Sequence, residues 1–283
     1  MRRIALLSRC GDIIRAAILH NGSLVYLDGD DLRRPYKLGT VYQGKVNHIE
    51  RGQCWIDLNP GIGLLSFDKK YPPVTVGQTI PVRISREAFY DIGQKIFKSP
   101  LLSRDRQQPE PSILALIPDL NIVDELTIDD AEIMAAIKPE VISTYSQIKL
   151  SLSHKNLFKE YGLEENWDDL LAPKVIRDNF NFTIEETSAC TVIDVNGVGY
   201  IRSINEKAAQ ACAQQIYWRH LSGAIMVEFI NHAKDQRPEL IKLIKSILPS
   251  TYTIHGFSKL GFLEISSPRT TAPLSHRFIK KEA

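Results

Sequence analysis

Two apolar segments in the C-terminal third of the chain end in acidic side chains, and they constrain the fold more than any other feature. The first is ACTVIDVNG, residues 189–197, and the second is GAIMVEFIN, residues 223–231. Short apolar runs bounded by turn residues are typical of central strands. A helical pattern from Asn205 to His220 separates them. This order predicts a layered α/β or α+β unit.

The polar residues of these two segments are candidate metal ligands. Asp194 and Asn196 share one face of a strand because side chains alternate, and Glu228 lies within the second apolar run. A buried carboxylate is costly unless it is paired or binds a metal ion, and two such groups suit Mg²⁺ or Mn²⁺. Two alternatives stay open from the residues alone. Asp194 and Asn196 cap a turn, or Glu228 forms an ion pair with a base such as Arg219.

Composition and charge exclude several other classes of protein. Hydrophobic residues make up 43% and charged residues 24% of the chain, an ordinary globular balance. The net charge of +2 is too small to indicate a nucleic-acid partner by itself. No apolar run reaches the roughly 20 residues that span a bilayer, so we expect a cytoplasmic protein without membrane association. None of the four cysteines belongs to a C-x-x-C pair, which predicts free thiols and no zinc.

The rest of the chain gives a coarse order of elements. Strands of an opening meander are predicted at residues 4–7, 13–19 and 23–28. Short strands with Gly and Pro turns from Thr40 to Ser85 predict a small closed barrel. Asp129 to Ile137 predicts a helix capped by Thr127 or Asp129. Near the end, the patterns predict a helix at Asp235–Leu248 and strands at Ala189–Val195, Gly223–Ile230, Thr251–Phe257 and Gly261–Ile265.

Several motifs occur in a fixed order along the chain. Residues 191–196 read T-x-I-D-x-N, and Asn205, Ala208 and Ala209 fit N-x-x-A-A before the basic Arg219. Residues 223–231 fit G-x-I-x-x-D-F-I-D with two substitutions, and a further segment follows at Ser258–Ser266 with Arg269 after it. Upstream, residues 39–67 are similar to an S1 barrel. In this order the motifs resemble the catalytic core of the ribonuclease E/G family.

The resemblance implies an architecture for nearly the whole chain. It implies an α+β fold with an S1 (OB-fold) β-barrel inserted in a split ribonuclease-H-like subdomain, followed by a DNase-I-like α/β catalytic subdomain. The implied boundaries are 1–35 and 113–180 for the split subdomain, 36–97 for the S1 domain, 98–112 for a polar, proline-rich linker and 181–283 for the catalytic subdomain.

The resemblance also implies an activity and its residues. It implies an endoribonuclease dependent on Mg²⁺ or Mn²⁺ that cleaves single-stranded RNA, leaving 5′-phosphate ends, in RNA processing or decay; a homodimer is one expected assembly. Asp194 and Glu228 would hold the ion, and Asn196 would complete the catalytic set. The residues expected to bind RNA are Lys45, His48, Trp55, Lys95, Arg219, Lys259 and Arg269. For Trp55, a place in the barrel core is the alternative.

Departures from the family pattern favour a rival interpretation. The second strand aspartate of the family is Glu228 here, and a further aspartate is Asn231. No segment matches the family's 5′-end sensor, its zinc-link cysteines or the small domain that follows them. The rival is an RNA-binding protein of the same fold with weak or no catalysis. A third interpretation, independent of the resemblance, is an OB-fold binding module joined to a structural α/β domain.

Overall fold

Strands dominate the computed structural model, which describes residues 2–59, 61–90, 96–105 and 112–278. The strands are β1 (Arg3–Cys10), β2 (Ile13–His20), β3 (Ser23–Asp31), β4 (Val41–Glu50), β5 (Gln53–Asp57), β6 (Ile62–Ser66), β7 (Thr79–Arg86), β8 (Phe89–Tyr90), β9 (Ile96–Lys98), β10 (Leu101–Ser103), β11 (Glu125–Ile128), β12 (Lys149–Leu152), β13 (Lys174–Ile176), β14 (Phe180–Glu186), β15 (Cys190–Gly197), β16 (Gly223–Glu228), β17 (Thr253–Phe257) and β18 (Leu263–Ser267). The α-helices are α1 (Ala131–Thr144), α2 (Leu157–Glu160), α3 (Glu164–Leu171), α4 (Ile201–Trp218), α5 (Arg237–Lys245) and α6 (Leu274–Arg277). Short 3-10 helices lie at Ile113–Leu116, Leu120–Ile122 and Lys234–Gln236. None of the helices in this part of the chain is long and apolar enough to cross a membrane.

The chain divides into two compact units, and each is assembled from segments distant in sequence. Unit 1 consists of Met1–Asp30, Leu116–Arg269 and Pro273–Ser275. Unit 2 consists of Asp31–Ala115, Thr270–Ala272 and His276–Ala283. The mixture of sheets and helices confirms the predicted α+β class. The split ribonuclease-H-like and DNase-I-like assignments stay predictions.

The first sheet of unit 1 has five strands in the order β12-β11-β1-β2-β3. β1 pairs antiparallel with β2 and parallel with β11, so the predicted opening meander continues into a strand from much later in the chain. Ala5, Leu6 and Leu7 of β1 are fully buried, as expected for a strand covered on both faces.

The helix after β11 is capped by a different residue from the two predicted. Asp130 accepts a hydrogen bond from the Ile133 backbone N–H at 2.9 Å and so caps α1. Asp129 instead accepts from the Ser8 hydroxyl at 2.6 Å and from the Leu157 N–H at 3.0 Å. The predicted cap was wrong because this carboxylate has distant partners that the local sequence does not reveal.

The second sheet of unit 1 has six strands in the order β13-β14-β15-β16-β18-β17, and its β15–β16 pair is parallel. Helices α4 and α5 cover one face of it. Ile193 and Val227 of the strands share a core with Ala208 and Ile216 of α4, and all four residues are fully buried. Burial of each larger side chain contributes roughly 1.5–3 kcal/mol. This layer fixes which residues of β15 and β16 face away from the helices.

A closed barrel of five strands, β10-β6-β5-β4-β7, forms the main part of unit 2. It is compatible with the predicted OB-like fold. Strand β10 corrects the predicted linker, because Leu101 and Leu102 pair with β6 and β7. Packing there is close: a Cβ on Gly63 would lie 2.7 Å from Leu102 Cδ1. Residues 106–111 of the predicted linker lie outside the described residues.

A buried ion pair joins separate segments of unit 2. Arg34 Nη1 lies 2.8 Å from Glu87 Oε2, and both side chains are 3% exposed. The Glu87 carboxylate also accepts hydrogen bonds from the backbone N–H groups of Leu38 and Ala272, each at 2.8 Å. Burial by itself raises the pKa of Glu87, but the charge and hydrogen bonding of Arg34, the charge of Arg277 and the Ala272 N–H together outweigh it, so the net pKa is lowered. The carboxylate is therefore ionised in the folded protein.

Candidate active site

Asp194 and Glu228 are direct neighbours on parallel strands. They are Cα partners in the β15–β16 register, and neighbouring strands lie roughly 4.8 Å apart. The flanking Ile193, Val195 and Val227 are buried, whereas both carboxylates are exposed. Both acidic side chains therefore extend from the sheet face opposite α4 and α5, close enough to bind one ion.

Asn196 orients the Asp194 carboxylate. Its Nδ2 donates a hydrogen bond to Asp194 Oδ2 at 2.8 Å, which two residues on one strand face can make. Within the described part of the chain, the Asp194 carboxylate accepts no further hydrogen bond. Both residues lie inside β15, so the contacts do not support the turn-capping alternative. One carboxylate oxygen of Asp194 is left for a ligand.

Glu228 is not in an ion pair with any described residue. It is the last residue of β16, which ends two residues earlier than the predicted strand, and it is exposed rather than enclosed. Arg219, its predicted alternative partner, is 6% exposed. The Arg219 guanidinium donates to the Gln215 side chain at 2.7 Å and to the Asp169 carbonyl at 2.8 Å. The ion-pair alternative was therefore wrong.

The same position changes the interpretation of Arg219 as an RNA contact. Burial lowers the pKa of Arg219 to about 10, and its hydrogen bonds are internal. A guanidinium enclosed in this way has little surface for a phosphate. We correct its role to a structural one, joining the end of α4 to α3.

Asn205 holds the chain that follows Glu228. It is fully buried in α4, where its Nδ2 donates to the Ile230 carbonyl at 2.8 Å and its Oδ1 accepts from the Ile230 N–H at 3.1 Å. The next residue, Asn231, has a left-handed φ of 30°. Asn205 was part of the sequence motif, but no role was predicted for it. A polar amide within the apolar stripe of a helix could have indicated a structural role.

Loops after the strands meet at this edge of the sheet. His232 Nε2 accepts a hydrogen bond from Arg237 Nε at 3.1 Å, and its ring centroid lies 4.7 Å from that of Phe257. Burial and the charge of Arg237 lower the pKa of His232. Lys259, a predicted RNA contact, is exposed in the loop between β17 and β18 at the same edge.

Arg269, another predicted RNA contact, lies elsewhere. Its Nη2 donates to the Ala189 carbonyl at 3.0 Å, and its guanidinium packs on Gly223, where a Cβ would collide with it. Gly223 is at the opposite end of β16 from Glu228. Five residues of strand separate the two ends by roughly 16 Å, so the structure does not bring Arg269 to the carboxylates.

The barrel residues predicted to bind RNA lie on one outer face of unit 2. Cys54 and Ile56 point into the core, so Trp55 between them points outward, which excludes the core alternative. Trp55 is half-buried beside His48, with ring centroids 5.2 Å apart, and it pairs with Leu64. Lys45 is exposed on β4 of the same face. Lys95 lies outside the described residues.

The carboxylate pair offers only two protein ligands for a metal ion. In the described ranges, no group of three or more His, Cys, Asp or Glu side chains has the arrangement to hold a metal ion. Two exposed carboxylates with free oxygens nevertheless match the preference of Mg²⁺ and Mn²⁺ for hard oxygen ligands, and Mg²⁺ usually keeps several waters. The donor set therefore fits a hydrated divalent cation.

Comparisons with known proteins identify relatives of this chain. The model of the ribonuclease E/G family matches residues 94–270. The chain is 29% identical to ribonuclease G of Salmonella typhimurium (strain SL1344) over 159 residues, covering 51% of this chain and 32% of the relative. It is 27% identical to ribonuclease G of Escherichia coli (strain K12) over 145 residues, 46% of this chain and 30% of the relative. A ribonuclease E/G-like chloroplastic protein of Arabidopsis thaliana is 29% identical over 130 residues, 40% of this chain and 13% of the relative.

These matches identify the class of protein. The family model covers more than half of the chain, and the matched segment contains both acidic strands and α4. The chain belongs to the ribonuclease E/G family, as its motifs predicted. It spans about a third of the length of the curated ribonuclease G relatives that it matches.

Proposed function

We propose that this chain is a divalent-metal-dependent endoribonuclease that cleaves single-stranded RNA and leaves 5′-phosphate ends. The observation that carries the proposal is the in-register pair of Asp194 and Glu228, exposed on one face of the sheet and supported by Asn196. The names of the related proteins support RNA cleavage as the reaction. RNA processing or decay is the corresponding role.

Asp194 and Glu228 would hold the ion. When bound there, Mg²⁺ or Mn²⁺ supplies Lewis-acid polarisation of a phosphoryl oxygen and lowers the pKa of a coordinated water. Attack of water on phosphorus with cleavage of the P–O3′ bond gives a 3′-hydroxyl and a 5′-phosphate. The protein contributes the charge and fixed positions of the two carboxylates.

Neighbouring residues hold the two carboxylates in place. The amide of Asn196 keeps Asp194 Oδ2 occupied, so that the remaining oxygen faces the ligand. Asn205 fixes the backbone two residues beyond Glu228 through both hydrogen bonds to Ile230. A misplacement of about 1 Å in such a site can cost about 100-fold in rate, so these supports matter for catalysis.

We assign RNA binding to the outer face of the barrel in unit 2. OB-type barrels bind single strands by stacking bases on exposed aromatics beside cationic side chains. Trp55 is the aromatic in this face, and Lys45 and His48 are its neighbours on β4. Lys259 adds a cation at the edge of the carboxylate site in unit 1.

The test is cleavage of a 5′-labelled single-stranded RNA in Mg²⁺, in Mn²⁺ and in chelator. Asp194→Asn should abolish cutting and weaken Mn²⁺ binding measured by calorimetry without RNA. Glu185→Gln is the matched control, because Glu185 is an exposed carboxylate on the neighbouring β14. It should leave both measurements unchanged.

The result separates the proposal from its rival. Metal-dependent cutting that is lost in Asp194→Asn and retained in Glu185→Gln supports the enzyme. Binding of the RNA by the wild-type chain without cutting in either metal would replace the proposal with a non-catalytic RNA-binding protein. Cutting that persists in Asp194→Asn would remove the carboxylate pair from the active site.

A further inference from the structure

Unit 2 contains a cleft that adjoins the face around Trp55 but does not include Trp55 in its lining. Its volume is about 360 Å³, and it lies beneath the segment that follows β6. Leu65 and Val74, 4% and 8% exposed, form part of its lining. Phe67 also lines the cleft, and 49% of this residue is exposed. An aromatic ring this open beside a buried apolar floor offers a stacking surface.

Cations surround a second aromatic ring of the cleft. The Arg104 guanidinium carbon lies 5.0 Å from the Tyr71 ring centroid, and Arg104 Nη1 donates to the Pro72 carbonyl at 2.7 Å. Lys70 Nζ lies 5.5 Å from the same centroid. Such distances are within the range of cation–π attraction. The arrangement holds positive charge next to a flat apolar opening.

The charges of the cleft select among flat ligands. Lys69 and Arg104 contribute two positive charges to the lining and Asp68 contributes one negative charge, so the lining has a net charge of +1. A purely apolar or cationic ligand gains no attraction from this net positive charge. A flat ring that carries a negative group gains both stacking and ion pairing.

We propose that this cleft binds one nucleotide of a single-stranded RNA, with the base stacked on Phe67 and the phosphate near Lys69 and Arg104. The proposal rests on the RNA-binding part of the proposed function. Continuity with the Trp55 face supports it: Ser66 of the cleft pairs with Gln53, two residues along β5 from Trp55. That step is roughly 7 Å along the strand, so one RNA can reach both surfaces.

The experiment uses the full chain with 5′-fluorescein-labelled oligoadenylate and oligouridylate in EDTA, followed by anisotropy. Phe67→Ala should weaken binding roughly 5- to 140-fold, the range for loss of one base-stacking aromatic. Val76→Ala is the control, since Val76 is an apolar residue of unit 2 that is 61% exposed and does not line the cleft. It should bind as the wild type does.

A second measurement on the wild-type protein does not depend on how the variants fold. Photocrosslinking with 5-bromouridine RNA, followed by peptide mass spectrometry, should place a crosslink within residues 65–74. Trp55→Ala is the reference variant that reports on RNA binding outside the cleft.

Each outcome decides between separate claims. If Trp55→Ala weakens binding but Phe67→Ala matches Val76→Ala and no crosslink falls in residues 65–74, the cleft proposal is overturned and RNA binding stands. If the wild type binds neither RNA at low salt, the RNA-binding part of the proposed function fails, and the cleft proposal with it. If a proline-rich peptide binds in a Phe67-dependent way and RNA affinity is unchanged in Phe67→Ala, the cleft serves a protein partner and the proposal is overturned.

Discussion

At the scale of single residues, Glu228 gives the sharpest test of the carboxylate site. Its side chain is one methylene longer than the aspartate of the family motif, while its backbone is in register with Asp194. We expect Glu228→Asp to raise the single-turnover rate of RNA cleavage by up to about 100-fold, because the shorter side chain restores the spacing of the two oxygens.

The control for this change is Glu185→Asp, the same shortening at an exposed carboxylate on β14. It should leave the rate unchanged. A fall in rate for Glu228→Asp alone would mean that the backbone of β16 is placed for the longer side chain, and that Glu228 is already the fitted ligand.

His276 predicts a pH dependence of stability in unit 2. Burial lowers its pKa from 6.5 to about 4, and its Nδ1 accepts a hydrogen bond from the Tyr90 N–H at 3.4 Å. Because the folded-state pKa is the lower one, the unfolded chain takes up the proton first. The stabilising contribution is complete above about pH 6.5 and is lost as the pH falls toward about 4.

The expected loss is up to about 3 kcal/mol, measured by urea unfolding at a series of pH values in this window. His276→Gln should reduce the slope of the free energy of unfolding against pH. His48→Gln, which changes a side chain that is 61% exposed, should leave this slope unchanged. Carboxylates titrate in the lower part of the window in all three proteins, so only the difference between them reports on His276. Equal slopes would show that His276 is protonated in the folded state as easily as in water.

At the scale of elements, α4 and the end of β16 depend on each other through Asn205. Asn205→Ala removes both hydrogen bonds to Ile230 and leaves the partly buried N–H and carbonyl of Ile230 without these partners. We expect a loss of about 1–3 kcal/mol in the free energy of unfolding. The cleavage rate of the folded fraction should fall as well, because Glu228 loses its fixed backbone.

Cys212→Ala is the comparison variant, since Cys212 is equally buried in α4 but makes no hydrogen bond to Ile230 among those described. It should reduce stability in urea without changing the rate at which the folded protein cleaves RNA. If Asn205→Ala reduces stability but changes neither the RNA cleavage rate nor the Mn²⁺ affinity, the role of Asn205 is confined to the fold.

The sequence predicted some elements better than others, for physical reasons. Long apolar runs such as Ile193 and its neighbours marked β15, but β10 has three residues, too few for a period-2 pattern. The start of α4 at Ile201 was missed because Tyr200 makes no side-chain cap, so the usual signal was absent. The acidic residues were identified from sequence, whereas their exposure and register depend on which strands pair.

At the scale of the whole molecule, Glu87 connects chain segments that are far apart in sequence. It binds Arg34, Leu38 and Ala272 within unit 2. Glu87→Ala leaves the buried Arg34 charge without this partner, and we expect a loss of about 3–5 kcal/mol in the free energy of unfolding. Urea unfolding of the variant and of the wild type, followed by circular dichroism, measures this loss.

The double variant Arg34→Met with Glu87→Leu is the informative companion. Replacing a buried ion pair by apolar groups of similar volume is often near neutral, so the double variant should recover much of the loss. A double variant as unstable as Glu87→Ala would mean that the hydrogen bonds to Leu38 and Ala272 contribute more than the pair of charges.

The interleaved layout of the two units sets an order of folding on the ribosome. All five barrel strands have been synthesised by Ser103, whereas β1 obtains its parallel neighbour β11 only at residues 125–128. The barrel is thus free to form first, while one edge of β1 stays open to wrong pairing with other chains. The contacts of Glu87 are completed later still, because Ala272 is synthesised well after β11. A slow codon after Ser103 would favour barrel formation but would prolong the exposure of β1.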